Sequence, residues 1–162
     1  MKYLNLAVIA LAMLLAQPAL AQTKPAAPSG TSDMEILRQK IKADKKLVVA
    51  ANMQLTEAEA KKFWPVYDAY QKDLAGLNDR TMKAIVSYAD AYNKGSVADA
   101  TAKKLIGEAI AIEEAEVKMR RSYLPKLEKA VGGMKSARYL QIESKIRAII
   151  KYELAANIPL VQ

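Results

Sequence analysis

The stretch NMQLTEAEAKKFWPVYDAYQKDL, residues 52–74, predicts a long helix with a defined start. Thr56 and Glu59 have the spacing of a capping box, in which each side chain accepts a hydrogen bond from the other residue's backbone N–H. Apolar residues then recur three and four positions apart, the period of one helix face. Pro65 lies inside this pattern, and an interior proline removes a backbone hydrogen bond and bends the axis. We therefore expect a kinked helix that continues beyond the proline.

The sequence around this stretch has the same period from Ser32 onwards, and no segment alternates as a strand does. Short turns separate four helical segments, which predicts an all-α domain of antiparallel neighbours. Caps, glycines and prolines give the boundaries: Ser32 to about Asn52, Thr56 to Gly95, Ser96 to Gly132-Gly133, and Met134 to Ile158-Pro159. Because Pro125 repeats the interior proline in the third segment, two long helices are expected to bend, around their own core or a second subunit.

Apolar stripes predict the buried face of each long segment. On the first segment, Leu37, Ile41, Val48 and Ala51 follow one face. The residues expected in the core of the others are Phe63, Tyr67, Tyr70, Leu74, Leu77, Met82, Ile85, Ala89 and Tyr92, then Leu105, Ala109, Ile112, Met119 and Tyr123, then Tyr139, Ile142, Ile146, Ile149 and Leu154. Acid-before-base pairs at i,i+4 predict solvated helix faces. These pairs are Asp68–Lys72, Asp79–Lys83, Asp90–Lys94, Asp99–Lys103, Glu114–Lys118 and Glu116–Arg120.

The N-terminal residues have the pattern of a secretory signal peptide. Lys2 is followed by an uncharged apolar run, and Ala19-Leu20-Ala21 forms a small-x-small cleavage site. The run is shorter than the roughly 20 apolar residues of a spanning helix. We expect a signal peptide at 1–21, a flexible linker at 22–31 and a single all-helical domain at 32–162. Export to a periplasm, without stable membrane insertion, is the predicted location.

Composition narrows the possible functions. The chain has 162 residues, a formal net charge of +8, no Cys and no His. Thiol chemistry and disulfides are therefore impossible, and the commonest general base and transition-metal ligand is missing. We expect neither catalytic residues, nor a cofactor, nor a metal. Nucleic acid is not an expected partner, because export and dispersed basic residues argue against it.

Basic doublets and an aromatic residue give the candidate binding residues. Adjacent helical residues diverge by about 100°, so one doublet makes no flat patch, although several doublets could line one concave face. Scattered surface charge is the alternative, and structural packing is the alternative for the aromatic residue. The candidates are Lys45, Lys46, Met53, Lys61, Lys62, Trp64, Lys103 and Lys104; Arg120-Arg121 is a further doublet.

The segment LTEAE opening a long helix, in an exported all-helical chain of this size, resembles the Spy/CpxP-like periplasmic proteins with LTxxQ motifs. Leu55 and Thr56 match the first two motif positions, and Glu59 stands where Gln is expected, which keeps the capping chemistry. VGGMKSARYLQ occupies the place of a second motif without matching it. The resemblance implies a bent helical hairpin, a cradle-shaped homodimer, and a basic, partly apolar surface that binds unfolded clients without ATP.

We therefore predict a chaperone-like protein, not an enzyme, that binds unfolded or partner polypeptides. Positive charge raises encounter rates with acidic segments, and methionine and tryptophan supply adaptable apolar contact. The first competing hypothesis is a regulatory adaptor that docks on one envelope partner, such as a stress sensor kinase. A second is an enzyme using carboxylates or tyrosines in a closed pocket. A third is a dimeric structural component without clients.

Overall fold

The computed structural model describes residues 43–161, and every regular element in this range is a helix. Helix α1 covers 43–53, α2 runs from Glu57 to Asn93, and α3 runs from Asp99 to Asn157. The all-α prediction is therefore confirmed. The predicted signal peptide (1–21), linker (22–31) and helix start at Ser32 lie outside the described residues. No helix within 43–161 is both long and apolar enough to cross a membrane.

The predicted start and end of α2 are confirmed. The Thr56 hydroxyl accepts a hydrogen bond from the Glu59 backbone N–H (3.3 Å), and the Thr56 N–H donates to the Glu59 carboxylate (2.8 Å). The helix continues through Pro65. It ends at Asn93, and Gly95, just after the C-cap residue Lys94, has a φ of 111°, in the region that glycine adopts without the steric cost of a Cβ.

The predicted start of α3 at Ser96 is wrong. The N-cap residue is Ala98, no side chain caps the helix, and Asp99 is the first helical residue. Val97, just before the cap, is buried, so the connection after Gly95 is itself packed against the bundle. Apolar burial here replaces the side-chain cap that the Ser-x-x-Asp spacing predicted.

The sequence predicted a boundary at Gly132-Gly133, and α3 does consist of two helical arms that meet at Gly132. This glycine has φ 75° and ψ 167°, which are not helical angles. Arg147 donates to Glu116, and Lys151 donates to Glu113 at 2.6 Å. Such contacts require that the first arm of α3 (99–131) and the second arm (133–157) run antiparallel. Pro125 lies inside the first arm without ending it.

Helix α1 packs antiparallel to α2 at one end of the bundle. Lys46 pairs with Asp68 at 3.0 Å, and Lys45 donates to Gln71 at 2.9 Å. A residue earlier in α1 therefore contacts a residue later in α2, as in any antiparallel pair. Val49 and Met53 are fully buried in the same core cluster, whereas Val48 and Ala51, the predicted apolar face, are exposed. We call this four-layered part of the bundle, formed by α1, the start of α2 and the middle of α3, the closed end.

Aromatic rings fill the closed end. Phe63 meets Tyr139 edge-to-face at 5.2 Å between ring centroids, and Tyr70 meets both Tyr123 and Tyr139 in the same way. Edge-to-face pairs add about 0.5–1.5 kcal/mol each beyond their buried area. With Leu127 also fully buried, the closed end has the dense packing of a complete core.

A polar network marks the inner limit of the closed end. Lys45 pairs with the buried Glu143 at 2.9 Å, and Gln71 donates to the other oxygen of Glu143 at 2.8 Å. The Gln71 amide also donates to the Tyr139 hydroxyl at 3.0 Å. Both carboxylate oxygens are thus satisfied, which a buried charge requires.

The other end of the bundle, which we call the open end, has three layers among the described residues. It consists of the end of α2, the start of the first arm and the end of the second arm. A groove of about 730 Å³ runs between them, lined chiefly by apolar side chains. Among the residues predicted to be core, Ile85, Ala89 and Ile112 are buried here, and Leu77, Leu105 and Ile146 are half-buried. Ala109 is exposed and Ile149 is 46% exposed, so the predicted burial of these two is wrong.

Candidate functional site

Two of the predicted binding residues face inwards. Met53 is fully buried in the aromatic core, and Lys45 holds the Glu143 carboxylate. Their packing at the closed end leaves neither group at the surface for a second chain. Met53 therefore acts here as a core residue, and Lys45 as the counterion of a buried acid.

Lys46 and Trp64 belong to one half-exposed cluster. The Lys46 ammonium lies 5.0 Å from the centroid of the Trp64 ring and 5.6 Å from that of Tyr67, and it also pairs with Asp68. Trp64 packs edge-to-face on both Phe63 and Tyr67. Cation–π contact thus attaches α1 to α2 at the surface.

The other doublets are exposed but far apart. Lys61 and Lys62 lie near the start of α2, whereas Lys103 and Lys104 lie just beyond its far end, at the start of α3. Helix α2 has 37 residues and is therefore about 55 Å long at about 1.5 Å per residue. The structure does not bring the doublets together on one face.

The LTxxE residues form a structural joint. Leu55 is half-buried against the core, and the Glu59 carboxylate accepts from Lys135 of the second arm. Lys135 also donates to the Gln54 carbonyl at 3.0 Å. The hydrogen bond from Lys135, followed by that from the Thr56 backbone, lowers the pKa of Glu59 to about 2. The motif therefore joins α2 to α3 as well as capping α2.

An exposed apolar row, which we call the outer stripe, follows the first arm of α3. Its members are Ile106 (60% exposed), Ile110 (53%), Val117 (40%) and Leu124 (38%). Their spacings of four, seven and seven keep them on one helix face. Lys103, one turn ahead, continues this face and is exposed. Several large apolar side chains in a row on a solvent-facing surface are typical of an interaction site.

A shallow depression of about 470 Å³ lies in the middle of the outer stripe. Ile110 and Val117 form its apolar wall, and Lys118 and Arg121 supply positive charge beside them. Glu113 and Glu114 also line the depression, and Glu113 is held by Lys151, whose hydrogen bond lowers the pKa of that carboxyl. The depression thus combines apolar contact with cations that neither hydrogen-bond nor pair with another side chain within residues 43–161.

The sequence predictions did not include the outer stripe, although its spacing is visible in the sequence. The stronger row of Leu105, Ile112, Met119 and Tyr123 was assigned to the core, and the second row on the adjacent face was not considered. The core of a bundle covers only one face of each helix. A second apolar row on another face of the same helix therefore indicates a surface that binds a partner. Only the structure shows which row the bundle leaves uncovered.

The buried tyrosine side chains of the described residues have raised pKa values. Burial raises the pKa of the Tyr67, Tyr70 and Tyr139 hydroxyls, which keeps them neutral inside the core. Burial, and then the hydrogen bond to Asp73, raises the pKa of Tyr123 to about 12. Within 43–161, no three acidic, His or Cys side chains are placed to hold a metal ion.

Comparison of the chain with family models, with curated proteins and with solved structures gives no match. The outer stripe and its basic flank are therefore interpreted from their own chemistry.

Proposed function

We propose that this protein binds other polypeptides on the outer stripe, as an ATP-independent, chaperone-like protein of the periplasm. The observation that carries the proposal is the row of exposed Ile106, Ile110 and Val117 beside Lys118 and Arg121. An unfolded segment exposes apolar side chains, and the stripe offers them a surface without a closed pocket. The mixed chemistry suits varied sequences better than one small ligand.

Charge assists the encounter and apolar contact retains the client. Lys103 and Lys104 lie at the start of the stripe and Arg121 near its end, so positive charge is present at both ends of the stripe. Long-range attraction raises association rates and is screened by salt over about 8–10 Å. Binding by this mechanism slows at high salt but persists, since apolar burial is not screened. The homodimer and the likeness to Spy/CpxP-type proteins remain part of the proposal.

Suppression of aggregation tests this function. Several unrelated unfolded proteins are diluted with and without an equimolar amount of the purified protein, and light scattering is followed at low and high salt. We expect slower aggregation with the native protein and loss of that effect in Ile110→Glu/Val117→Glu. The matched control, Ile149→Glu/Tyr152→Glu, adds the same charge at exposed apolar positions outside the stripe.

Two results would contradict the proposal. One is an absence of suppression by the native protein, and the other is equal suppression by the stripe variant and its control. Cross-linking in the native compartment separates the alternative function. Many captured proteins support a general chaperone, whereas a single recurrent protein, lost in the stripe variant, indicates an adaptor for one envelope partner.

A further inference from the structure

The second arm of α3 has an exposed row of its own, on the side of the helix opposite to the core. The core side of this arm carries the buried Tyr139 and Glu143. On the outward side, Met134 is 81% exposed and Tyr152 is 72% exposed, high values for large apolar and aromatic side chains. Spacings of three and four positions place the whole row on one helix face. We call it the second-arm face, and its members are Met134, Arg138, Gln141, Lys145, Ile149 and Tyr152.

The second-arm face carries positive charge without a neighbouring acid. Arg138 and Lys145 lie about two helical turns apart, and neither hydrogen-bonds nor pairs with another side chain in the described part of the chain. The acids of this arm lie elsewhere. Glu143 is buried and held by Lys45, and Glu153 lies about 100° around the helix axis from the last member of the face. Cations and large apolar side chains therefore share one surface about 27 Å long.

The outward side of α2 shows that this combination is not general for the bundle surface. Lys72 and Lys83 lie there together with Asp79 and Asp90, so both signs of charge are present. No large apolar side chain of α2 is exposed to the same degree. Mixed charge is what a solvated helix face requires. Exposed methionine, isoleucine and tyrosine between unpaired cations indicate contact with something other than water.

We propose that the second-arm face docks on the surface of a bilayer that contains anionic phospholipids. Met134, Ile149 and Tyr152 enter the boundary between headgroups and acyl chains, and Arg138 and Lys145 pair with the phosphate groups. The apolar stems of arginine and lysine contact the same boundary while their charged groups stay in the polar layer. The arm then lies in the plane of the membrane surface, which needs no spanning helix.

The shape of the face favours a flat partner. None of its members lines the depression of the outer stripe or the groove at the open end, so the face is the convex side of a single helix. Peptides and small ligands are typically enclosed by concave surfaces, whereas a bilayer meets a helix along its whole length. Tyrosine is enriched at membrane interfaces, where one end of the side chain is in apolar surroundings and the other in water. The net charge of +8 adds long-range attraction to an anionic surface.

Sedimentation with lipid vesicles tests the docking. Vesicles of phosphatidylcholine alone are compared with vesicles of phosphatidylcholine and phosphatidylglycerol in equal parts, at low and high salt. We expect the native protein to bind the anionic vesicles, more weakly at high salt, and to leave the neutral vesicles unbound. Arg138→Gln/Lys145→Gln should bind the anionic vesicles about tenfold more weakly. The matched control Lys72→Gln/Lys83→Gln removes the same charge from the outward side of α2 and should bind nearly as the native protein does.

A fluorescent label reports the contact itself, and the native chain has no Cys to interfere. Tyr152→Cys and Ser87→Cys are each labelled with nitrobenzoxadiazole, whose fluorescence rises in apolar surroundings. Ser87 is an exposed residue of α2 and serves as the control. On addition of anionic vesicles, the label at position 152 should brighten several-fold and shift to shorter wavelength. The label at position 87 should not change.

The outer stripe supplies a second matched pair. Ile149→Glu/Tyr152→Glu should lose vesicle binding, whereas Ile110→Glu/Val117→Glu, with the same change in charge, should keep it. Circular dichroism confirms that each variant is folded. Suppression of aggregation, measured without lipid, is expected to respond in the opposite way. Failure of the docking proposal therefore leaves the proposed function standing, and the reverse also holds.

Four results would overturn the proposal. Failure of the native protein to bind anionic vesicles at low salt excludes a lipid surface. Equal losses in Arg138→Gln/Lys145→Gln and its α2 control assign the binding to overall charge. Tight binding of soluble polyglutamate, with no response of the label at position 152 to vesicles, indicates an acidic polypeptide. A label at position 152 that is bright in the free protein and dims on dilution indicates a second copy of this chain.

Discussion

The closed and open ends of the bundle are built from the same helices but have different cores. At the closed end, four layers enclose Phe63, Leu127 and Tyr139, each of them fully buried. At the open end, three described layers surround a groove, and Leu77 and Leu105 are half-buried. Three helical layers bury Ile85, Ala89 and Ile112 at the open end, but they leave the residues along the groove half-exposed. Complete burial of large aromatic side chains is found where α1 adds a fourth layer.

The largest expected effect is a truncation at the closed end. Phe63→Ala removes a fully buried ring that packs on Trp64, Tyr67 and Tyr139, and should lower the free energy of unfolding by about 3–5 kcal/mol. Ile149→Ala, at a position of the open end that is 46% exposed, should cost less than about 1 kcal/mol. Urea unfolding followed by far-ultraviolet circular dichroism measures both. Equal losses would contradict the distinction between the two ends.

The next effect concerns the polar boundary between the ends. Lys45→Met leaves the buried Glu143 carboxylate without its cation. We expect this to lower the free energy of unfolding by about 2–3 kcal/mol. This is below the range for a fully buried pair, because the Lys45 side chain keeps 14% of its exposure. The double variant Lys45→Met/Glu143→Leu should recover much of the loss in urea unfolding. A double variant less stable than the single one would show that the network contributes more than its desolvation costs.

A smaller effect is expected from pH at the Thr56–Glu59 joint. The pKa of Glu59 is lowered from 4.5 to about 2 in the folded chain, so the folded state favours the ionised carboxylate. Its contribution is present above pH 4.5 and is lost as the pH falls from 4.5 towards 2. Glu59→Gln keeps a capping side chain but removes this dependence. Urea unfolding between about pH 5 and pH 2 should show a steeper loss in the native protein than in the variant.

Glu57→Gln is the control for that measurement. It removes the same charge from the first turn of α2, but Glu57 belongs neither to the capping box nor to the ion pair with Lys135. The Glu57 variant should follow the native pH dependence. If the Glu59 and Glu57 variants respond alike, the joint with the second arm does not stabilise the closed end through its charge.

Much of the fold could be predicted from local sequence, as particular residues show. The Thr56–Glu59 box, the Gly95 end and the passage through Pro65 each depend on neighbours within one turn, and all three are as predicted. The start of α3 could not be predicted in this way, because Ala98 has no capping side chain and the buried Val97 determines the connection. Gly132-Gly133 was recognised as a boundary, but the antiparallel packing of the two arms that meet there depends on pairs such as Glu116–Arg147.

The candidate site was predicted less well than the fold. Residue type alone suggested Lys45 and Met53 as surface groups. In the structure, Lys45 pairs with the buried Glu143, and Met53 packs in the aromatic core. Asp68 and Glu116 were assigned to partners one turn away, but they pair with Lys46 and Arg147 on other segments. Among the predicted i,i+4 pairs, Asp99–Lys103 is formed at 2.9 Å.

Local sequence alone specifies the helical class, the capping box of α2 and the two apolar rows on the first arm of α3. Periodicity and capping depend on residues three or four positions apart, so they need no knowledge of the rest of the chain. Tertiary structure alone decided which row is covered, because coverage depends on segments tens of residues away. It left Ile106, Ile110, Val117 and Leu124 exposed, and it surrounded the groove at the open end with three helical layers.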